Sequence, residues 1–247
     1  MTKKIKKFWL KADWPAPNHV KAGTSIRIGG YSKPPYDEFN LSLNVGDSPA
    51  KVKKNRTELL THLGINSEPI WLEQEHKKRI LSVDEIPIDV KADGSYTTKK
   101  NRVCVVTTAD CVPILFSNNE GTKVAAIHAG WKGICTGIIE STIKIFDYPE
   151  STYVWIGPCI GKKYYEIGED VYSSFLKYSD SLGKSFKKND NRKWSCSLNN
   201  IAKTLLKKSR IEKIYDCGLC TYELNDLFFS YRRDGDTGRM ASMIWID

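Results

Sequence analysis

Apolar positions along this chain gather into short runs rich in β-branched residues, and the densest lies near its middle. Residues 103–116 (VCVVTTADCVPILF) and the run Val124-Ala125-Ala126-Ile127 each read as one buried strand, because both are short, apolar and bounded by turn residues. Ser117-Asn118-Asn119-Glu120-Gly121 between them is turn chemistry, so the two strands are expected to pair as neighbours. Upstream, Phe8-Trp9-Leu10 and residues 20–27 predict a first strand entering a Gly29-Gly30 turn. Leu41, Leu43 and Val45 alternate with Asn40, Ser42 and Asn44, the pattern of a strand whose polar face would wall a pocket. Asn44 is a candidate substrate contact on that face.

Helical period takes over elsewhere. Asp47 or Ser48 before Pro49 marks a helix start, and Val52, Leu59, Leu60 and Leu63 fall at buried spacing before a stop at Gly64. A second helix is expected over residues 131–146, opened by the glycines at 130, 133 and 137; others over 165–176 and, capped by Ser197, over 198–206. Ile70-Trp71-Leu72 and residues 154–156 read as short strands, Asp93-Gly94 as a tight turn, and 182–194 as a polar, lysine-rich surface loop. A turn-rich stretch, 228–239, leads to a last strand over 240–246 that closes the sheet. Interleaved strands and helices predict an α/β (α+β) fold: one domain over residues 1–247, a mixed-sheet layered sandwich with helices packed on the sheets.

Composition narrows the setting. With 247 residues, 40% of them hydrophobic, the chain can bury a substantial core. No apolar stretch approaches the ~20 residues that span a bilayer, and the lysine-rich N-terminus lacks the apolar core of a secretory signal, so the cytoplasm is expected and a membrane is not. Seven cysteines, an odd number scattered along the chain, fit free thiols better than a disulfide framework; Cys217-Gly218-Leu219-Cys220 has no second CxxC to complete a four-sulfur site. The net charge of +9 raises the question of a nucleic-acid partner. The excess lies in scattered pairs such as Lys53-Lys54 and Lys99-Lys100 with no nucleic-acid-binding motif, so no such partner is expected; a basic surface equally attracts phosphate and nucleotides.

The candidate chemistry sits on the two central strands. Cys111 and His128 would lie side by side at the sheet's end, an arrangement that serves an activated nucleophile, two-thirds of a zinc site, or simply a packed core. His128 is followed by Ala129-Gly130-Trp131-Lys132-Gly133, where glycines let the backbone bend closely around a ligand and a helix N-terminus would favour an anion.

TADCVPILF, AAIHAGWKG, IGPCIG and the C-terminal CTY…FFSYRRDGDTGRMASMIWI together resemble the signature set of the laccase-domain, or peptidoglycan editing factor, family, in order and across nearly the whole chain. The family is described as purine nucleoside phosphorylases with adenosine deaminase and methylthioadenosine phosphorylase activities. The resemblance implies one zinc held by His76, Cys111 and His128, with purine nucleosides and inorganic phosphate as substrates. His76 stands among Glu73, Glu75, Lys77 and Lys78 and by itself reads as a surface residue; only the Gln74-Glu75-His76 element promotes it, with Lys77 where the family has glycine. The resemblance also implies roles for Asp47 and Arg56 in shaping the site, and places Cys220 beside it. Asp110 is a candidate orienting or proton-carrying group next to Cys111, and Arg233 a candidate for phosphate or ribose. Four histidines are too few for a multicopper centre, so zinc is expected before copper. The alternatives are a Cys-His hydrolase acting on peptidoglycan precursors, with Cys111 as nucleophile, and a zinc-stabilised binding protein without turnover.

Overall fold

A computed structural model describes residues 5–189 and 191–247. In chain order its strands are β1 (Ile5–Lys6), β2 (Trp9–Lys11), β3 (Val20–Ser25), β4 (Ile80–Ser82), β5 (Gly94–Thr97), β6 (Val103–Thr108), β7 (Val112–Ser117), β8 (Val124–Ala129), β9 (Tyr153–Ile156), β10 (Glu166–Ile167), β11 (Phe186–Lys188), β12 (Trp194–Cys196), β13 (Lys213–Asp216) and β14 (Met240–Ile246). The helices are α1 (Pro49–Leu63), α2 (Trp131–Cys135), α3 (Ile138–Ile143), α4 (Glu169–Tyr178), α5 (Leu198–Lys208) and α6 (Tyr231–Asp234).

Three sheets result: an antiparallel one ordered β1-β2-β3-β14-β6, a mixed one ordered β13-β9-β7-β8-β5-β4, and a small one ordered β10-β12-β11. The two large sheets pack face to face, and the period of two along each strand decides which side chain enters which core. On β6, Cys104 and Val106 join Leu115, Ala126 and Ile244 between the sheets, whereas Val103 and Val105 turn outward to Leu59 and Leu60 of α1. On β7 and β8, Ile114, Phe116, Ala125 and Ile127 turn the other way, under α2 to α5. The order of layers is therefore helix, sheet, sheet, helices. Each fully buried aliphatic or aromatic side chain here contributes about 1.5–3 kcal/mol relative to exposure.

This parity positions the site. Pro113 pairs with His128 across β7 and β8, and His128 shares the face of Val124 and Ala126. The imidazole therefore emerges between the two sheets, at the end of the ladder.

Several segments differ from what the sequence suggests. Residues 103–116 form two strands in two different sheets, because the chain breaks at Ala109-Asp110-Cys111, where Asp110 takes φ 95. Residues 40–45 are a loop, with Leu43 39% exposed, and 70–72 contribute no strand beyond the neighbouring Glu73–Lys91 bridge. The helix expected over 131–146 is broken into α2 and α3 at Gly137, whose φ is 92. A helical turn as short as α2 carries little of the aligned dipole that an anion site at its N-terminus would need. Residues 165–176 divide into β10 and the start of α4. Residues 180–185 are a 3-10 helix followed by β11, with Leu182 and Phe186 buried, so the lysine-rich stretch is anchored and not merely a surface loop. β14 lies inside its sheet between β3 and β6, where it completes the ladder on both sides. α1 and α5 match their sequence signals: Pro49 occupies the first turn and Gly64 the left-handed cap of α1, and the Ser197 hydroxyl accepts from the Asn200 amide at the start of α5.

Candidate metal centre

The ligand atoms of His76, Cys111 and His128 lie within 4.8 Å of one another. Each comes from a different kind of backbone. His128 is held in the ladder of β8, Cys111 sits just beyond the bend that separates β6 from β7, and His76 occupies a loop with φ 60. The two imidazoles meet edge to face with centroids 4.7 Å apart.

Asp93 organises the two histidines. Its carboxylate is fully buried, and Oδ1 accepts from His128 Nδ1 at 2.8 Å and from the His76 amide at 2.9 Å. Oδ2 accepts from the Lys77 amide at 2.7 Å and the Glu75 amide at 3.1 Å. One carboxylate thus fixes the loop that carries His76 and the ring plane of His128. Because Nδ1 of His128 donates to it, Nε2 is left with the lone pair a metal ligand needs. Burial would raise the Asp93 carboxyl, but the hydrogen bonds from His128 and the backbone amides outweigh it and hold it below the ordinary carboxylate range. Gln74 ties the same loop to β6: its Oε1 accepts from the Thr107 amide and hydroxyl, and its Nε2 donates to the Thr107 carbonyl.

Burial alone would raise the Cys111 thiol, yet His128 and His76 beside it bring it down to about 6. His128 moves the opposite way: burial lowers it, while Cys111 and Asp93 more than offset that. The metal-free pair therefore favours a thiolate against an imidazolium: the sulfur is already in the state that ligates, and a bound metal would take the place of the His128 Nε2 proton. One soft thiolate and two borderline imidazoles fit a tetrahedral ion with one position left for a substrate or water. The other two histidines are elsewhere: His19 Nε2 lies 3.2 Å from the Gly121 carbonyl, and the His62 ring packs on Phe8.

A cavity of about 470 Å³ opens over the group, walled by Ser42, Asn44, Val45, Leu72, Gln74, Thr107, Thr108, Tyr231 and Arg239. A smaller cleft of about 220 Å³ continues from it, since Ser42, Asn44, Leu72 and Thr107 line both. A larger cleft, about 720 Å³ between Trp9, Trp14, Trp245 and Lys21, brings no such ligand group together among the described residues.

Asn44 reaches the main cavity with the three ligands. Arg56 lines the smaller cleft, its guanidinium 3.7 Å from the Trp71 ring and its Nε donating to the Leu41 carbonyl. Asp47, Asp110 and Arg233 line neither. Asp47 accepts from Asn40 Nδ2 and the Ser48 amide, bracing the loop before α1. Asp110 accepts from the Thr221 hydroxyl at 2.6 Å and the Arg232 amide at 2.7 Å, which pins the bend carrying Cys111. Arg233 spends its donors on the Thr221, Tyr222 and Phe228 carbonyls and on Asp234. Cys220 accepts from the Gly161 amide and is followed by Thr221, so it stands behind the Asp110 bend.

Asp93, Gln74, Thr108, Tyr231 and Arg239 are the residues sequence reasoning missed. Asp93 resembles a turn residue because it precedes a glycine, and only the fold shows Gly94 already in β5. The Gln-x-His spacing was a usable signal for Gln74. Nothing in the sequence separates Arg239 from Arg232 and Arg233.

Residues 21–247 match a family model described as multi-copper polyphenol oxidoreductase laccase. The chain is 43% identical over 235 residues to the Escherichia coli (strain K12) protein named purine nucleoside phosphorylase YfiH, covering 94% of this chain and 96% of that one. It is 41% identical over 241 residues to the Haemophilus influenzae protein named purine nucleoside phosphorylase, with 96% and 99% covered. The solved structure of Neisseria meningitidis protein NMB0706 is similar with a TM-score of 0.93 at 37% identity, covering 98% of this chain and 100% of that one. YlmD from Geobacillus stearothermophilus gives 0.89 at 28% identity, covering 98% and 97%. The matched residues include every side chain of the centre, and the chain belongs to the multi-copper polyphenol oxidoreductase laccase family.

Proposed function

We propose that this protein is a zinc-dependent purine nucleoside phosphorylase, cleaving adenosine, inosine, guanosine and methylthioadenosine to free base and ribose-1-phosphate or its methylthio analogue, with adenosine deaminase activity besides. The observation that carries the reading is the His76–Cys111–His128 group at the floor of a nucleoside-sized cavity, in a chain whose relatives bear the phosphorylase name. Zinc suits the donor set better than copper: with His19 and His62 engaged elsewhere, two imidazoles and one thiolate cannot build a multicopper centre. Seven free cysteines fit a cytoplasmic setting.

When bound there, zinc would supply Lewis acidity, the chemistry that polarises a substrate atom and generates a hydroxide equivalent for deamination. The chain's own residues do the rest. Asp93 holds the Nδ1 proton of His128 and so fixes the ring that faces the substrate. Asp110 holds the bend that presents Cys111, and Gln74 holds the wall formed by Thr107. Asn44 offers an amide to the substrate from the opposite wall, while Asp47 and Arg56 keep that wall in shape. In phosphorolysis a phosphate oxygen attacks C1′, the bond from C1′ to the purine nitrogen breaks, and the base leaves with a proton. The protein must therefore place an oxyanion and a nucleoside together and exclude water that would compete.

The lowered Cys111 thiol beside His128 is also what a Cys-His hydrolase acting on peptidoglycan precursors would use. Such an enzyme keeps its activity when a chelator removes metal and loses it to a thiol alkylator. The test is chromatography of inosine and adenosine incubations with and without phosphate, for the natural protein and a folded Cys111→Ala variant. Phosphate-dependent release of base and ribose-1-phosphate, absent from the variant, is expected. No turnover of any purine nucleoside by folded, zinc-loaded protein would refute the reading.

A further inference from the structure

Phosphorolysis requires an oxyanion subsite, and the cavity contains two polar groups whose hydrogen-bonding capacity the protein leaves unused. The first is the edge of the Arg239 guanidinium. Its Nη1 donates to the Thr237 carbonyl at 2.7 Å and the Gly238 carbonyl at 3.0 Å, which accounts for both of its hydrogens. Nε and Nη2 have no acceptor among the described residues, and together they form the planar fork that meets two oxygens of an oxyanion. The second is the Thr108 hydroxyl. Thr108 is 2% exposed, its Oγ1 has no hydrogen-bond partner among the described residues, and it lines the same cavity. A buried hydroxyl left unpaired in a site wall is placed to meet a ligand or a water.

The fold brings the two together by register. Thr108 ends β6 directly opposite Met240, the first residue of β14, so Arg239 is one step beyond that pair. The Arg239 amide donates to Asn40 Oδ1, and its guanidinium lies 5.7 Å from the Tyr231 ring at the cavity mouth. The rival arginines lack this freedom. All five donors of Arg233 are taken by carbonyls and Asp234, and Arg56 has its face on Trp71 in the neighbouring cleft. Among the described residues, Arg239 is the only lysine or arginine lining the main cavity. Burial lowers its pKa, with Cys111 the first of the charged groups that oppose the shift, which sets the guanidinium within electrostatic reach of the metal-ligating group.

The geometry points to Arg239 and Thr108 as the subsite that binds inorganic phosphate beside His76, Cys111 and His128, Arg239 by its Nε–Nη2 edge and Thr108 by its hydroxyl. The identity of the oxyanion rests on the phosphorylase reading above. The shared chemistry, an oxyanion, could also arrive as the 5′-phosphate of a nucleotide, so the test separates the two.

Two measurements on the zinc-loaded protein, Arg239→Gln, Arg239→Lys and Thr108→Val provide it: inorganic phosphate binding by calorimetry, and initial rates at varied phosphate and varied inosine. Arg239→Gln should raise the phosphate Kd and the phosphate KM by about tenfold to a hundredfold, the loss of charge-assisted hydrogen bonds, with the inosine KM within about twofold. Arg239→Lys should recover part of the loss. Thr108→Val, which keeps the shape and removes the hydroxyl, should raise both constants by about two- to tenfold. Unchanged phosphate constants in Arg239→Gln and Thr108→Val, with the natural enzyme turning over, would overturn the assignment and leave the phosphorylase reading intact. Arg239-dependent phosphate binding without any nucleoside turnover would support the subsite and overturn the phosphorylase reading. Arg239-dependent binding of AMP together with no binding of inorganic phosphate would overturn the assignment to phosphate.

Discussion

Asp93 and His128 face each other twice: the His128 amide donates to the Asp93 carbonyl at 2.7 Å, and its Nδ1 donates to the Asp93 carboxylate at 2.8 Å. The backbone bond continues the β5–β8 ladder by one step, and the side-chain bond uses that rigidity to set an imidazole. A carboxylate that also holds the amide of His76 makes the positions of two candidate metal ligands depend on one buried residue.

Asp93→Asn keeps the volume but removes the charge and turns part of the acceptor into a donor. Zinc affinity is expected to fall about 10- to 100-fold, the usual consequence of losing an outer carboxylate. Competition against a chromophoric chelator measures it. An unchanged affinity would mean that the two histidines are set by their backbones alone.

Gly130 has φ −74, a conformation alanine adopts without strain, but a Cβ there would lie 3.0 Å from both Cys111 Sγ and His76 Cδ2. Gly130→Ala should therefore leave the thermal midpoint nearly unchanged while reducing zinc stoichiometry, because the neighbours that must give way are the ligands themselves. A variant that binds zinc normally would show that the centre has more slack than these contacts allow.

The buried thiols predict alkaline sensitivity. Burial pushes Cys104 up to about 12 from an ordinary 9.0, and Cys196 to about 12 as well. A folded-state pKa raised above the unfolded one favours the neutral thiol, so this stability is complete below pH 9 and is lost as pH rises from 9 towards 12. The thermal midpoint should fall between about pH 9 and pH 11, and less steeply in Cys104→Ala, which has lower stability at neutral pH but no thiol to ionise. An identical slope in the variant would exclude Cys104 as a source.

The sequence exposed those elements whose local signals agree with their tertiary setting. Pro49 and Gly64 delimit α1, Ser197 caps α5, and the apolar run 240–246 coincides with β14. It misled where tertiary contacts overrule local pattern. The bend at Asp110 interrupts an unbroken apolar run because the Thr221 hydroxyl and the Arg232 amide, more than a hundred residues away, grip its carboxylate. Leu41 is buried and Leu43 exposed, although their alternation with polar residues reads as a strand, because residues 40–45 wrap over the cavity instead of joining a ladder. Cys111 and His128 were visible from their strands, whereas His76 needed the family pattern and Asp93 the fold. Among the arginines of the C-terminal loop, choosing between Arg233 and Arg239 takes a count of donors that only coordinates supply.

The most direct test titrates zinc into metal-stripped protein and follows phosphate-dependent formation of ribose-1-phosphate from inosine alongside bound metal. No phosphorolysis is expected without zinc, the rate should rise in proportion to occupancy and level at one zinc per chain, and Cys111→Ala should show neither binding nor rate. Full phosphorolysis by the stripped protein, or stoichiometric zinc binding with no nucleoside cleavage at any phosphate concentration, would contradict that expectation.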